Sequence, residues 1–310
     1  MQQNLNNTQM NKLKKTAVCL SVGVACLLCV IKTIASVYTG SLAVLSSLID
    51  SLSDVFASSV SYIAVNFSTR PANCNHRYGY GRVESLSALV QAAFVAGSGL
   101  FVMYDGISRL FNPIEVHQTT FGLVVMIVSL LVTLGLISFQ KYVAKVTGSV
   151  AISADSAHYV VDVLTNGSII LSLVVVKLFG IIWFDILTAV IISVYLIYNA
   201  YQIAAEAIGD LTDKELSDDI RKKVINIINE CDGVKGFHDL RSRDLGGTYL
   251  FEIHLEIDGN LSLFEAHKLS ENVEDKIKQE FSNAQIIIHQ DPFGIKEDRL
   301  DDILSGKCEP

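Results

Sequence analysis

Apolar residues fill the first two-thirds of the chain in six long runs, over residues 15–38, 41–66, 84–108, 119–142, 150–177 and 181–206. Each run supplies the roughly 20 residues that a helix needs to cross the hydrocarbon core of a bilayer. The pattern therefore predicts a membrane all-α six-helix transmembrane bundle. The connection Thr39-Gly40 between the first two runs is short enough to make them a tight antiparallel hairpin.

Beyond residue 209 the periodicity changes. Leu216, Ile220, Val224 and Ile227 recur at helical spacing between Asp213 and Glu230. Two strand-like runs follow, Val234 to Asp244 and Thr248 to Asp258, joined by the hairpin signal Gly246-Gly247. The second alternates Tyr249, Phe251, Ile253, Leu255 and Ile257 on one face with Glu252, His254, Glu256 and Asp258 on the other. An amphipathic helix, Ser262 to Phe281, and a third strand, Ala284 to Gln290, complete the order αββαβ. That order predicts a C-terminal α+β domain, a three-stranded sheet with helices on one face. The expected organisation is a polar N-terminal tail over 1–14, a membrane domain over 15–208, a soluble domain over 209–295 and a polar tail over 296–310.

Composition strengthens the division. Half of the 310 residues are hydrophobic, and the mean hydropathy is +0.41, too apolar for an ordinary soluble chain. From Asp210 onward there are 23 acidic and 13 basic residues, against 9 and 11 before it. An acidic soluble domain does not suit nucleic-acid binding, so no nucleic-acid partner is expected. The six cysteines form neither a disulfide framework nor zinc-ribbon spacing, and Cys26 and Cys29 read as small apolar packing groups in the first span. Lys12, Lys14, Lys15, Arg70, Arg77, Arg82, Lys141 and Lys145 flank one side of the predicted spans, whereas Arg109 and Lys177 lie close to the other. This bias predicts that both termini are cytoplasmic. Lys32 near the end of the first span is expected to snorkel to the interface, and Asp105 with Arg109 reads as a structural i, i+4 pair.

The chemistry is concentrated in two of the apolar runs. Asp50 and Asp54 stand at i, i+4 in the second, and His158 and Asp162 stand at i, i+4 in the fifth, so each pair shares a helix face. Carboxylates within a span are costly and mark pathways or partners rather than lipid-facing positions. Like charges one turn apart in low dielectric raise each other's pKa, and a bound cation resolves the conflict. Three carboxylates and one imidazole suit Zn²⁺ and tolerate Fe²⁺ or Cd²⁺. Asp155, three residues before His158, is a candidate access or supporting group. In the soluble domain, His238, His254, His267, His289 and Asp291 form a second candidate metal set, with His289 and Asp291 on one strand face. His76, in the loop Arg70 to Arg82, is a weaker candidate. No H-E-x-x-H occurs, which argues against an intramembrane metalloprotease, and no enzyme is expected.

The stretches YTGSLAVLSSLIDSLSD, RPANCNHRYGYGRVES, ADSAHYVVDVLTNG and IIHQDPFG together resemble the cation diffusion facilitator family, in particular its bacterial YiiP/FieF-like iron, zinc and cadmium efflux members. The resemblance covers nearly the whole chain. It implies a homodimer of six-span subunits in the bacterial cytoplasmic membrane, each with a cytoplasmic domain of ferredoxin-like topology. It also implies divalent metal export driven by inward proton movement. The transport site would map onto Asp50, Asp54, His158 and Asp162. A dimer-interface metal site would map onto His238, His254, His267, His289 and Asp291, with His267 supplied by the neighbouring subunit. Two positions depart from the family pattern. A metal site in the loop after the second span would use an Asp and two His, where this chain has Asn73, His76 and Tyr80. A Lys–Asp interlock at the dimer neck would fall on Arg82 and Asp210. The residues alone also fit a metal uptake carrier, or a membrane metal sensor signalling through its acidic domain.

Overall fold

The computed structural model describes residues 7–39, 42–111, 120–179, 183–296 and 298–304. Gly40, and with it the turn expected there, lies outside them, as do the side chains of Asp50, Asp105, Arg109 and Lys177. Contacts divide the chain into two compact units, Met1–Ile208 and Gly209–Pro310.

Six long helices build the first unit: α1 (Asn7–Thr39), α2 (Leu42–Ser68), α3 (Val83–Phe111), α4 (Thr120–Thr147), α5 (Val150–Phe179) and α6 (Trp183–Leu211). Among the described residues, four segments are long and apolar enough to cross a membrane: Thr8–Ile34, Val83–Tyr104, Ile127–Thr147 and Ala189–Leu211. The buried residues run in narrow stripes. On α1 they are Lys14, Ala17, Val18, Ser21, Ala25, Leu28 and Lys32; on α2, Ser51, Asp54, Ala57, Ser58, Ser61, Ala64 and Val65. Leu20, Leu27, Val30 and Ile34 of α1 and Leu52, Phe56, Ile63 and Phe67 of α2 face outward instead. Lipid is as apolar as leucine, so helices in membranes pack through small and polar residues that let backbones approach. Gly99 on α3 shows the closeness required, since a Cβ there would stand 3.1 Å from Cβ of Leu196 on α6.

Three expectations change here. The helix of the first span reaches back to Asn7, and Lys14 is buried in a 2.9 Å ion pair with Glu84 of α3 rather than lying in a polar tail. Ser68 and Ser149 also donate to the Glu84 carboxylate, so one buried anion ties α1, α2, α3 and the start of α5 together. Lys32 is 8% exposed and belongs to the buried stripe, not to the interface. Cys26 is exposed on the unit's surface, away from the helix packing.

The second unit contains α7 (Asp218–Asn229), β1 (Gly236–Asp244), β2 (Tyr249–Ile257), α8 (Leu263–Glu280), β3 (Gln285–Pro292) and α9 (Leu300–Leu304). The sheet order is β1-β2-β3, with β1 antiparallel and β3 parallel to β2. Gly246 and Gly247 adopt φ of 90° and 93°, and both their N–H groups donate to Asp244 Oδ1, which closes the hairpin. Phe251, Ile253, Leu255 and Ile257 of β2 pack with Val224 and Ile228 of α7 and Val273 and Ile277 of α8. The polar face of β2, with His254 and Glu256, is therefore turned away from the helices. Within the stretch after residue 295, expected as a polar tail, Leu300–Leu304 form α9, whose first turn bonds to Asp239 of β1.

A capping box starts α8. Ser262 accepts from the Glu265 amide, and the Glu265 side chain accepts from the Ser262 amide and hydroxyl. Those donors hold the Glu265 carboxyl below its usual value of 4.5. A lowered folded pKa stabilises the helix start above the unfolded value and loses that contribution as pH falls through the folded value. Hydrogen exchange at the first turn of α8 should thus accelerate on acidification below pH 4.5, relative to its chemical rate, before exchange in β2 does.

Candidate metal centres

On α2, Asp54 lies in the buried stripe, and on α5 His158 faces it. His158 Nε2 is 3.3 Å from Asp54 Oδ1, and both residues are less than a tenth exposed. Asp162, one turn along α5, completes a group in which one donor atom from each residue lies within 4.8 Å of the others. A tetrahedral site with bonds of about 2.0 Å has donor–donor edges of about 3.3 Å, the spacing that Asp54 and His158 already have. His158 Nδ1 is buried and has no hydrogen-bond partner among the described residues. The structure thus brings together Asp54, His158 and Asp162, and the Asp50 side chain lies outside the described residues.

One turn from these three residues is a polar bolt. Asp155 is fully buried and accepts from Ser21 of α1 and Gln140 of α4, both at 2.6 Å, on the same oxygen. Ser58 of α2 bonds to the Tyr159 hydroxyl at 2.7 Å and to Ser21 at 2.9 Å. Ser58 is four residues after Asp54, and Asp155 and Tyr159 bracket His158. The bolt therefore fixes the rotation of the two ligand-bearing helices about their own axes. Asp155 is a supporting group here. The spacing Asp54, Ser58 on one stripe carried the signal for the α2 partner; nothing in sequence marked Ser21 or Gln140. Asp155→Ala would strand two buried donors, at about 1–3 kcal/mol, so the full chain in detergent should unfold at lower temperature. Asp155→Asn, which keeps an acceptor, should lose less.

In the second unit, register builds the site. His238 pairs with His254, and His254 pairs with His289, so three imidazoles stand in a row across three strands. Their ring centroids are 5.0 and 4.8 Å apart. Asp291, two residues after His289 on the same face, sets its carboxylate among them. Its Oδ2 is 2.9 Å from His254 Nδ1 and 3.7 Å from His238 Nε2, and its Oδ1 is 3.2 Å from His289 Nε2. Imidazoles around a shared carboxylate form a donor set that fits Zn²⁺. His267 is outside this group in its own chain. It is an exposed residue of α8, 3.4 Å from Glu271.

Glu256, in register with Asp291, was visible in sequence on the polar face of β2 but was not singled out. It bonds His238 Nδ1 at 3.0 Å and Arg299 at 2.6 Å. Burial works against the charge of Asp239, next to His238. The amides of Leu300 and Asp301 and the His238 and His254 rings nevertheless hold that carboxyl below its usual value.

In the loop after α2, the three aligned positions come together. Asn73 donates to the Tyr80 hydroxyl at 2.8 Å, and the His76 ring stacks on Tyr80 at 4.3 Å. Reciprocal Asn73 and His76 backbone bonds close the turn. A neutral amide and a phenol stand beside the one imidazole. Arg82 precedes α3, and Asp210 lies in the last turn of α6, each described within its own unit.

Residues 18–212 match the family model of the cation efflux transmembrane domain, and residues 216–293 that of the cation efflux protein cytoplasmic domain. The chain belongs to the cation diffusion facilitator family. The cation-efflux pump FieF of Escherichia fergusonii is 40% identical over 289 residues, which span 93% of this chain and 96% of the relative. FieF of Escherichia coli is 39% identical over 294 residues with the same coverage. The metal-bound C-terminal domain of the CzcD transporter from Thermotoga maritima is 25% identical, covering 26% of this chain and 93% of that domain, with a TM-score of 0.25. This facilitator is accordingly a multi-pass membrane protein with a C-terminal α+β domain. For its loop, His76→Ala should leave metal flux at saturating metal close to that of the unaltered protein in proteoliposomes.

Proposed function

We propose that this facilitator is a six-span, proton-coupled exporter of a divalent cation, zinc before iron(II) or cadmium, working as a homodimer. Its termini are in the cytoplasm, and its cytoplasmic domain has ferredoxin-like topology. The observation that carries the reading is the convergence of Asp54, His158 and Asp162 inside the helix bundle. Asp50, one turn before Asp54, is the fourth ligand. A separate cleft of about 440 Å³ lies between α3, α4, α5 and α6, and Asp54, His158 and Asp162 are not among its lining residues. Ser149, Ser153, Ser156, Gln202 and Glu206 are among its lining residues.

The chemistry follows from shared lone pairs. The atoms of His158, Asp54 and Asp162 that bind a metal are the atoms that bind protons, so one displaces the other. Imidazole has the unperturbed pKa nearest neutrality and is the natural exchanger. When helices rock, the same atoms face the opposite side, release metal and take up protons. The polar bolt around Asp155 keeps α2 and α5 in register during the exchange. His238, His254, His289 and Asp291, with His267 of the second copy, hold metal in the cytoplasmic domain and draw two acidic domains together. Arg82 and Asp210 are the charged groups proposed for the neck. A sensor has no use for a carboxylate pair within the bundle. An uptake carrier would use the same ligands, and export is the direction carried by the efflux relatives.

The test is flux into proteoliposomes. Asp54→Ala or Asp162→Ala should abolish transport of zinc and iron while the chain still inserts, and near-normal flux in either would sink the assignment.

A further inference from the structure

The C-terminal segment that follows β3 is built onto the cytoplasmic metal centre. Asp239, immediately after His238, sits at a break in the β1–β2 register, between His238 and Arg241. Its φ is 51°, a left-handed conformation that a non-glycine residue adopts at a cost and that surrounding bonds must hold. Those bonds come from the start of α9. The Asp239 amide donates to Asp301 Oδ2 at 2.8 Å. In return the Asp239 carboxylate accepts from the amides of Leu300 at 3.0 Å and Asp301 at 2.9 Å. Three bonds thus pin the bulge that aims His238.

A second link passes through Glu256. Its Oε1 lies 2.6 Å from Arg299 Nη2 and 3.0 Å from His238 Nδ1, and both Glu256 and His238 are buried. A carboxylate paired with a guanidinium is an acceptor only, so Nδ1 of His238 carries the proton and donates. That leaves the lone pair on Nε2, the atom facing Asp291 at 3.7 Å. Partners of this kind orient a ligating imidazole and raise its basicity.

We propose that Arg299–Asp301 is a strap that positions His238 for metal, so that metal at the cytoplasmic centre and the docked C-terminal segment stabilise each other. The inference rests on the reading that His238, His254, His289 and Asp291 hold a metal. Arg299 and Glu256 act through His238 and are positioning residues. Because coupling between two binding events is reciprocal, metal occupancy is converted into order of residues 299–304.

The experiment uses the full chain in detergent in an Asp54→Ala background, so that zinc at the membrane site does not mask the signal. Zinc affinity is read by competition with a chromophoric chelator, and backbone exchange of 299–304 by mass spectrometry with and without zinc. Arg299→Ala should weaken the cytoplasmic site by about tenfold, and Arg299→Lys, which keeps the charge, should recover most of it. Zinc should slow exchange across 299–304, an arm that needs no strap variant, and adding Asp291→Ala should abolish the slowing. Unchanged affinity in Arg299→Ala, or exchange at 299–304 indifferent to zinc while Asp291→Ala still loses zinc, would overturn the strap alone. Equal zinc binding with and without Asp291→Ala would remove the cytoplasmic site and the strap with it.

Discussion

Carboxylates inside a helix bundle that lipid surrounds are the constraint on which the membrane unit depends. Asp54 and Asp162 approach one imidazole with Asp155 fully buried a turn away, and no apolar packing can offset such a grouping. The helices answer it differently at two levels. Around Asp155 the charge meets fixed neutral donors from α1, α2 and α4, which makes a permanent joint. Around His158, the buried Nδ1 atom has no hydrogen-bond partner among the described residues, which suits the exchangeable ligand proposed for this place. The stripes of serine and alanine that separate these levels are what allow four backbones close enough for both.

In the second unit the constraint is the pleat. Once β1, β2 and β3 pair with His238, His254 and His289 in one row, their side chains must share a face. A slip of one residue would turn the polar row toward α7 and α8 and expose Phe251 and Ile253. The hydrophobic core therefore fixes the geometry of the imidazole row indirectly, because the same register satisfies both faces of β2.

Much of this was legible in the chain. The αββαβ order, the glycine hairpin and the His158/Asp162 pair depend on local periodicity, and apart from the start of α1 the observed element limits lie within about five residues of the expected ones. What was not legible depends on partners distant in sequence. Lys14 reads in sequence as a flanking charge and nothing there marks Glu84, yet the two, 70 positions apart, pair in the interior. Lys32 looked like a snorkelling residue because its depth was judged from the span's end rather than from the helix face it shares with Ser21 and Leu28. Arg299 sat in a segment too short and too charged to predict as structure, and only its distant acceptor Glu256 gives it a role. Asn73 and Tyr80 show the reverse case, in which a departure from a family pattern is matched by a bond between the two substituted residues.

The two candidate metal centres differ in a way that fits the two tasks proposed for them. The membrane set is rich in carboxylate and poor in nitrogen, with Asp54 on α2 and His158 and Asp162 on α5. Oxygen donors bind borderline cations less selectively than imidazole does, which suits a cargo that must be released. The cytoplasmic set is rich in imidazole, gathered on one sheet around one carboxylate, and braced behind His238 by Glu256 and Arg299. Rigidity of that kind favours retention over exchange, because donors already in place lose little freedom when a metal binds. A transporter that must both release an ion and remain assembled gains by separating the two demands. On the proposed reading, this chain places the first on helix faces and the second on strand register.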